Sequence, residues 1–311
     1  MDLKMRRTCK KLDDSIMASG FLDSFDYVLC DCDGVLWHGP NPIPGSIETV
    51  QALHKMGKHI IYITNNSTKA REEYLEKCAK FGLPGKVEDI MSTSYCVAAY
   101  LKSKHFQRKV YVLGSTGITF ELQKAGIDHL PVGPDPVPED WVKWIPELKL
   151  DPEVGAVVVG FDHYISYPKL TKAASYLRDP ETLFIATNRD EQFPTERNLT
   201  IPGAGTFVAA VETVSGRTAV SLGKPHKYMF DCIKEMHPDI DVNKCVMIGD
   251  RLNTDIMFGT KHGIKTLLVL TGINSLEDVH EYEKGSQETD QLLIPDYYLT
   301  CLGDLQQFIK V

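Results

Sequence analysis

The sequence predicts an α/β protein built on a doubly wound parallel sheet, and three observations carry that reading. Apolar, β-branched runs such as "DYVLCD", "HIIYIT" and "VGAVVVGFD" lack polar alternation, as strands buried on both faces do. They alternate with stretches of helical periodicity, the rhythm of βαβ units. The strands also outnumber what one sheet comfortably holds, so two α/β domains are expected, although the pattern alone does not show where they part.

Taken in order, "DYVLCD" leads to a helix over about 45–56, then "HIIYIT", a helix over about 69–81, and the short strand "DIMS". The rhythm continues with "KVYVLG" and "ITFELQKAG", "VGAVVVGFD" and "YPKLTKAASYLRD", "TLFIATN" and "GTFVAAVETVSG". Between these, "LPVGPDPVPEDWVKWIPELKLDP" is proline-rich and reads as an excursion over the surface. After "SGRTAVSLGKP" come a helix over about 227–236, the strand "KCVMIGD", the helix "LNTDIMFGTKHG", the strand "KTLLVL" and a last strand and helix in "DYYLTCLGDLQQFI".

At 311 residues, 43% apolar and 24% charged, the composition is that of a globular protein with a sizeable core. A net charge of -8 without a basic block beyond "KMRR" and "CKK" disfavours a nucleic-acid partner, so an anionic substrate must be attracted locally. The apolar runs are too short to span a membrane, and the first residues mix acids with bases and lack the apolar stretch of a secretory signal. A cytoplasmic chain is expected. Its eight cysteines lack C-x-x-C spacing and read as reduced thiols, and the sequon-like "NNST" and "NLT" carry no meaning without secretion.

Four strand ends carry the chemistry. "DCDG" places Asp31 and Asp33 beyond a buried strand, where open α/β sheets bind ligands. Two carboxylates so close need a cation or a shared proton, and oxygen ligands favour a hard metal such as Mg2+. Asp-Gly is equally turn chemistry, and Gly34 permits that turn. "TNNS" offers Thr64, Asn65, Asn66 and Ser67 as phosphate donors or as a plain helix cap. Lys224 in "LGKPH" can neutralise phosphoryl charge or be a surface lysine, and "GK" there is not a P-loop. "GDRLNTD" ends a further strand in Asp250, with Asp255 either at the same rim or assisting a helix N-terminus.

The ordered set "DCDG", "TNNS", "GKP" and "GDRLNTD" resembles the haloacid dehalogenase-like phosphatases over nearly the whole chain from about Phe21. "DGVLWHG", "ATNRD", "PGAGTFVAAVE" and "GDRLNTDI" look like its capped group, which contains phosphoglycolate, pyridoxal (chronophin) and 4-nitrophenyl phosphatases. The resemblance implies a Rossmann-like core, residues 22–106 and 219–311, with an α/β cap inserted at 107–218 and an extension at 1–21. It implies Asp31 as nucleophile, Asp33 as general acid and base, and Thr64, Asn65, Asn66 and Lys224 around the phosphate. It implies Mg2+ held by Asp31, Asp250 and the backbone carbonyl of Asp33, with Asp255 supporting the metal site, an aspartyl-phosphate intermediate, and a homodimer formed through the caps.

Specificity is then expected from the cap loop "NRDEQFP", with Asn188, Arg189, Asp190 and Phe193 as candidates. Phe193 stands where the pyridoxal phosphatase pattern carries a histidine, which favours phosphoglycolate over pyridoxal 5'-phosphate or a broad 4-nitrophenylphosphatase. It can equally be cap packing or a dimer contact. The "GSTG" and "PGAG" segments read as turns and helix starts. A cap roofing the site disfavours a phosphoserine protein phosphatase, and a silent scaffold has no use for both Asp31 and Asp33. Hinges are expected near 104–108 and 215–219. Cys30 and Cys32 flank the nucleophile and are read as small buried strand residues rather than a redox switch.

Overall fold

The buried apolar runs pair side by side in a seven-stranded sheet in which every neighbouring pair is parallel. The computed structural model describes residues 6–193 and 199–309. Residues 1–5 of the expected extension, Pro194 at the close of the cap-loop motif and the last two residues lie outside the described residues.

Across the large sheet the strands run Lys10–Lys11, Tyr297–Leu299, Lys265–Val269, Cys245–Gly249, Tyr27–Asp31, His59–Thr64 and Ile90–Ser92. Winding therefore proceeds outward in one direction from Tyr27–Asp31 and in the other from Cys245–Gly249. The switch point falls between these two neighbours, where ligands bind in such sheets. Asp31 and Asp250 stand at that point. Helices Ser46–Lys55, Arg71–Lys80, Thr93–Ser103 and Lys227–Met236 are among those that connect the strands.

A second, four-stranded parallel sheet contains Lys109–Leu113, Val154–Val159, Leu183–Ala186 and Val220–Ser221. It is the inserted cap. One buried cluster spans both units, with Leu29, Ile61 and Met91 of the core beside Val110, Val158 and Ile185 of the cap. A separate cap cluster includes Val157, Phe184 and Val208.

Three expectations need correction, and one helix is additional. Residues 1–21 are not merely an extension: Lys10–Lys11 adds an edge strand, and Leu12, Ala18 and Phe21 are buried in the core cluster. The cap sheet runs past 218, because Val220 and Ser221 pair with Ile185 and Ala186. The single helix expected at "LNTDIMFGTKHG" is a π-turn, Leu252–Ile256, followed by a short α-helix, Met257–Lys261. Helix Thr93–Ser103 was not foreseen, since Ser92 ends the strand and caps the helix at once by accepting from the Tyr95 amide. The proline-rich excursion does lie outside, and its helix Trp141–Glu147 buries no residue.

Candidate active site

The geometry is set by Lys224, which follows Val220–Ser221 as the chain re-enters the core. Its ammonium lies 2.6 Å from Asp31 Oδ1, 2.7 Å from Asp255 Oδ1 and 3.3 Å from the Ile63 carbonyl. The lysine is buried, so it is no surface lysine. Burial opposes its charge, but Asp255 and Asp31 hold its pKa well above the usual lysine value.

Asn65 locks that arrangement. Its Oδ1 accepts from the Lys224 amide at 2.8 Å, and its Nδ2 donates to the Lys224 carbonyl at 3.1 Å and to Asp190 Oδ1 at 3.0 Å. The Asn65 side chain, expected on phosphate, lines the cavity and is engaged within the protein, where it joins Lys224 to Asp190 of the cap. Thr64 lines the cavity and accepts from the Asn66 amide at 3.1 Å. Asn66 reaches Asp33 Oδ2 at 3.4 Å, while Asp33 Oδ1 accepts from the Trp37 indole at 3.0 Å. Ser67, beside them, has a buried hydroxyl with no hydrogen-bond partner, a donor free for a phosphate oxygen.

On the other side of the switch point, Asp250 Oδ2 accepts from the Ile273 amide at 3.0 Å. Gly34, in a left-handed conformation at φ +87°, leaves room for that carboxylate, since a Cβ would lie 2.6 Å from Asp250 Oδ2. Gly249 does the same for Asp255, whose Cβ would sit 2.1 Å from an added Cβ. The π-turn turns Asp255 back so that its Oδ2 accepts from the Arg251 amide at 3.1 Å, leaving Oδ1 for Lys224.

Asp31, Asp250 and Asp255 are all buried and offer one oxygen each within 4.8 Å of one another. Asp255, expected as support, belongs to the cluster itself; the Asp33 side chain does not, being turned to Trp37 and Asn66. Burial raises the Asp31 pKa well above the carboxylate range; Lys224 counteracts this, and Asp255 and Asp250 add to it. Burial and then Asp255 push Asp250 up to about 7. Three crowded carboxylates face one ammonium and, more remotely, Arg251, which is itself paired with Glu191 at 2.5 Å. The charge balance and the all-oxygen donor set fit a hard divalent cation.

The cap closes the cavity with Asn188, Asp190, Gln192 and Phe193. Asn188 donates to the Asn65 carbonyl at 2.7 Å and accepts from the Asp190 amide at 3.0 Å. Phe193 meets Phe161 edge to face at 4.8 Å. Arg189 is a correction: its guanidinium points away, onto both carboxylate oxygens of Glu212 at 2.6 and 3.1 Å and onto Ser221 at 2.8 Å. Phe161, Arg251, Thr254 and Ile273 line the cavity without having been singled out. Phe161 follows the strand Val154–Val159, so the strand-end rule used for the core would have found it.

Cys30 and Cys32 are fully buried, and burial above all holds their thiols far above the usual range, which keeps them un-ionised. Neither is poised for oxidation.

The fold and this strand-end chemistry define a hydrolase class, and the chain belongs to the haloacid dehalogenase-like hydrolases. The family's sequence pattern matches residues 28–128, and a second HAD-hydrolase-like pattern matches residues 221–296. Within that family the chain is a phosphatase. It is 42% identical over 300 residues to the glycerol-3-phosphate phosphatase of Mus musculus, covering 91% of each chain. It is 40% identical over 289 residues to the chronophin of Bos taurus, covering 91% of this chain and 93% of that one. Among solved structures, the p-nitrophenyl phosphatase from Archaeoglobus fulgidus superposes with a TM-score of 0.75 at 28% identity, covering 91% of this chain and 99% of that one. A glycerol phosphate phosphatase from Mycobacterium tuberculosis in complex with magnesium matches with a TM-score of 0.72 at 26% identity, over 91% of this chain and 77% of that one.

Proposed function

We propose that the chain hydrolyses a small aliphatic phosphomonoester, with Mg2+ as cofactor, through a phosphorylated Asp31. The observation that carries this reading is the buried Lys224 bridging Asp31 and Asp255 at 2.6 and 2.7 Å, a cation fixed beside a strand-end carboxylate. Mg2+ held by Asp31, Asp250 and Asp255 would lower the cost of ionising these carboxylates and offset phosphoryl charge.

Lys224 engages Oδ1 of Asp31, which leaves Oδ2 as the nucleophile. Oδ2 forms a bond to phosphorus as the ester P–O bond breaks, and Asp33 passes its proton to the departing alkoxide. Asp33 then takes a proton from the water that attacks the same phosphorus, which releases inorganic phosphate and restores Asp31. Trp37 and Asn66 hold the two oxygens of Asp33 in place for both transfers. The Ser67 and Thr64 hydroxyls and Lys224 bind the phosphoryl oxygens.

The cap supports the choice of substrate class. The Phe161–Phe193 pair presents apolar ring edges where a pyridine ring would look for a polar partner, and the cap loop closes directly over the nucleophile. Phosphoglycolate fits, with Arg251 on the cavity wall as the cation for a carboxylate. Glycerol 3-phosphate is the second reading, favoured by the relative named for it. The test is phosphate release with Mg2+ from both, from pyridoxal 5'-phosphate, from 4-nitrophenyl phosphate and from a folded phosphoserine protein. We expect one of the two aliphatic esters to lead in kcat/KM. A lead for pyridoxal 5'-phosphate would overturn the reading of Phe193, and a lead for the phosphoprotein would overturn the role given to the cap.

The proposed homodimer through the caps rests on the exposed apolar side chains of Trp141, Val142 and Ile145 on the cap helix. A monomeric mass by light scattering would remove it.

A further inference from the structure

We propose that His59, Asp89 and His237 form a zinc-binding site on the rim of the core sheet opposite the catalytic centre. His59 opens the strand His59–Thr64, whose other end delivers Thr64 to the active site, so the two centres lie about 17 Å apart along that strand. Asp89 closes the turn Val87–Asp89, and His237 caps the helix Lys227–Met236. Three separate segments thus converge on one point.

His59 Nε2 lies 2.7 Å from Asp89 Oδ1, and His237 Nε2 lies 3.8 Å from the same oxygen. One donor atom from each residue lies within 4.8 Å of the other two. Tetrahedral zinc with bonds of ordinary length separates its donors by about 3.3 Å, so the two spacings to Asp89 Oδ1 lie roughly 0.5 Å on either side of the required one. The other oxygen of Asp89 accepts from the Lys86 amide at 3.0 Å, which fixes the carboxylate with Oδ1 facing the two rings. His237 Nε2 now donates to the Glu88 carbonyl at 3.1 Å, an acceptor that a zinc-bound water can satisfy in its place.

Two imidazoles and one carboxylate make a donor set suited to zinc rather than magnesium. The Asp89 and His237 side chains are 7% and 9% exposed, whereas that of His59 is 40% exposed and borders a cavity shared with His54, Pro84 and Gly85. That cavity is the entry path and the place for a water as fourth ligand. Residues 59 and 89 precede the cap insertion and residue 237 follows it, so the ion would clip the two halves of the core together without touching the chemistry.

The test is a zinc titration of the metal-stripped chain against a chromophoric chelator, with Mg2+ present in excess to occupy the catalytic carboxylates. We expect one Zn2+ per chain, with His59→Ala and His237→Asn each weakening it at least about tenfold. The thermal midpoint should rise with zinc in the unsubstituted chain and not in either variant, and phosphatase turnover with Mg2+ should be the same in all three. His59 is partly exposed and His237→Asn keeps an amide for Glu88, so both variants should fold. The proposal is overturned if no stoichiometric zinc binds more tightly than about 10 µM. It is equally overturned if both variants bind zinc as the unsubstituted chain does, or if Asp250→Asn rather than the histidine changes removes the site.

Discussion

At the scale of single residues, the account turns on charge held in a dry place. Asp250 titrates near 7 in the fold against about 3.8 unfolded, so between those values the folded chain binds more protons than the unfolded one. Without divalent metal, stability should therefore fall as pH rises from about 4 to about 7. Asp250→Asn should reduce that slope, leaving the part due to Asp31, and raise the metal-free thermal midpoint while removing activity; a thermal-melt series across pH checks it. The residues of the site were legible because strand ends are predictable: Asp31 and Asp250 close buried apolar runs, Asp33 and Asp255 lie two and five positions further on, and Lys224 follows the short strand Val220–Ser221. Arg189 misled because successive side chains on an extended segment face opposite ways, so Asn188 and Asp190 enter the cavity while Arg189 turns out to Glu212. The engagement of Asn65 with Lys224 was not legible at all, since the two are 159 positions apart.

At the scale of elements, what joins the cap to the core matters most. Arg251, which precedes the π-turn, pairs with Glu191 of the cap loop, and the Arg71 amide donates to the buried Glu121 at 2.9 Å. Glu191 is mostly exposed, so its pair is worth at most about 1 kcal/mol. Glu191→Gln should accordingly raise KM by no more than about fivefold with kcat nearly unchanged, as steady-state kinetics would show. The proposed hinges coincide with two left-handed residues, His105 at φ +51° and Gly216 at φ +65°. Helix Thr93–Ser103 escaped the sequence pattern because no Gly or Pro separates it from the strand before it. Its Leu101 is fully buried in the cluster shared by core and cap. Leu101→Ala should cost about 2–5 kcal/mol, measurable by urea denaturation.

At the scale of the whole molecule, the strand order places Asp31 and Asp250 on adjacent strands at the switch point, and that order was implicit in the alternation of buried runs and helices. The edge strand Lys10–Lys11 was not implicit, because two exposed lysines carry no apolar signal and only their pairing with Tyr297 and Tyr298 makes a strand of them. In a chain of net charge -8, two cations line this cavity, Lys224 beside Asp31 and Arg251, the latter paired with Glu191, which is where the proposed anionic ester would be met. The claim on which everything else rests is that Asp31 attacks phosphorus. The most direct measurement is phosphate release by Asp31→Asn, folded by circular dichroism, beside the unsubstituted chain with Mg2+ and the best ester of the panel. We expect turnover to drop by about three orders of magnitude or more; turnover within tenfold of the unsubstituted chain would contradict a covalent role for Asp31.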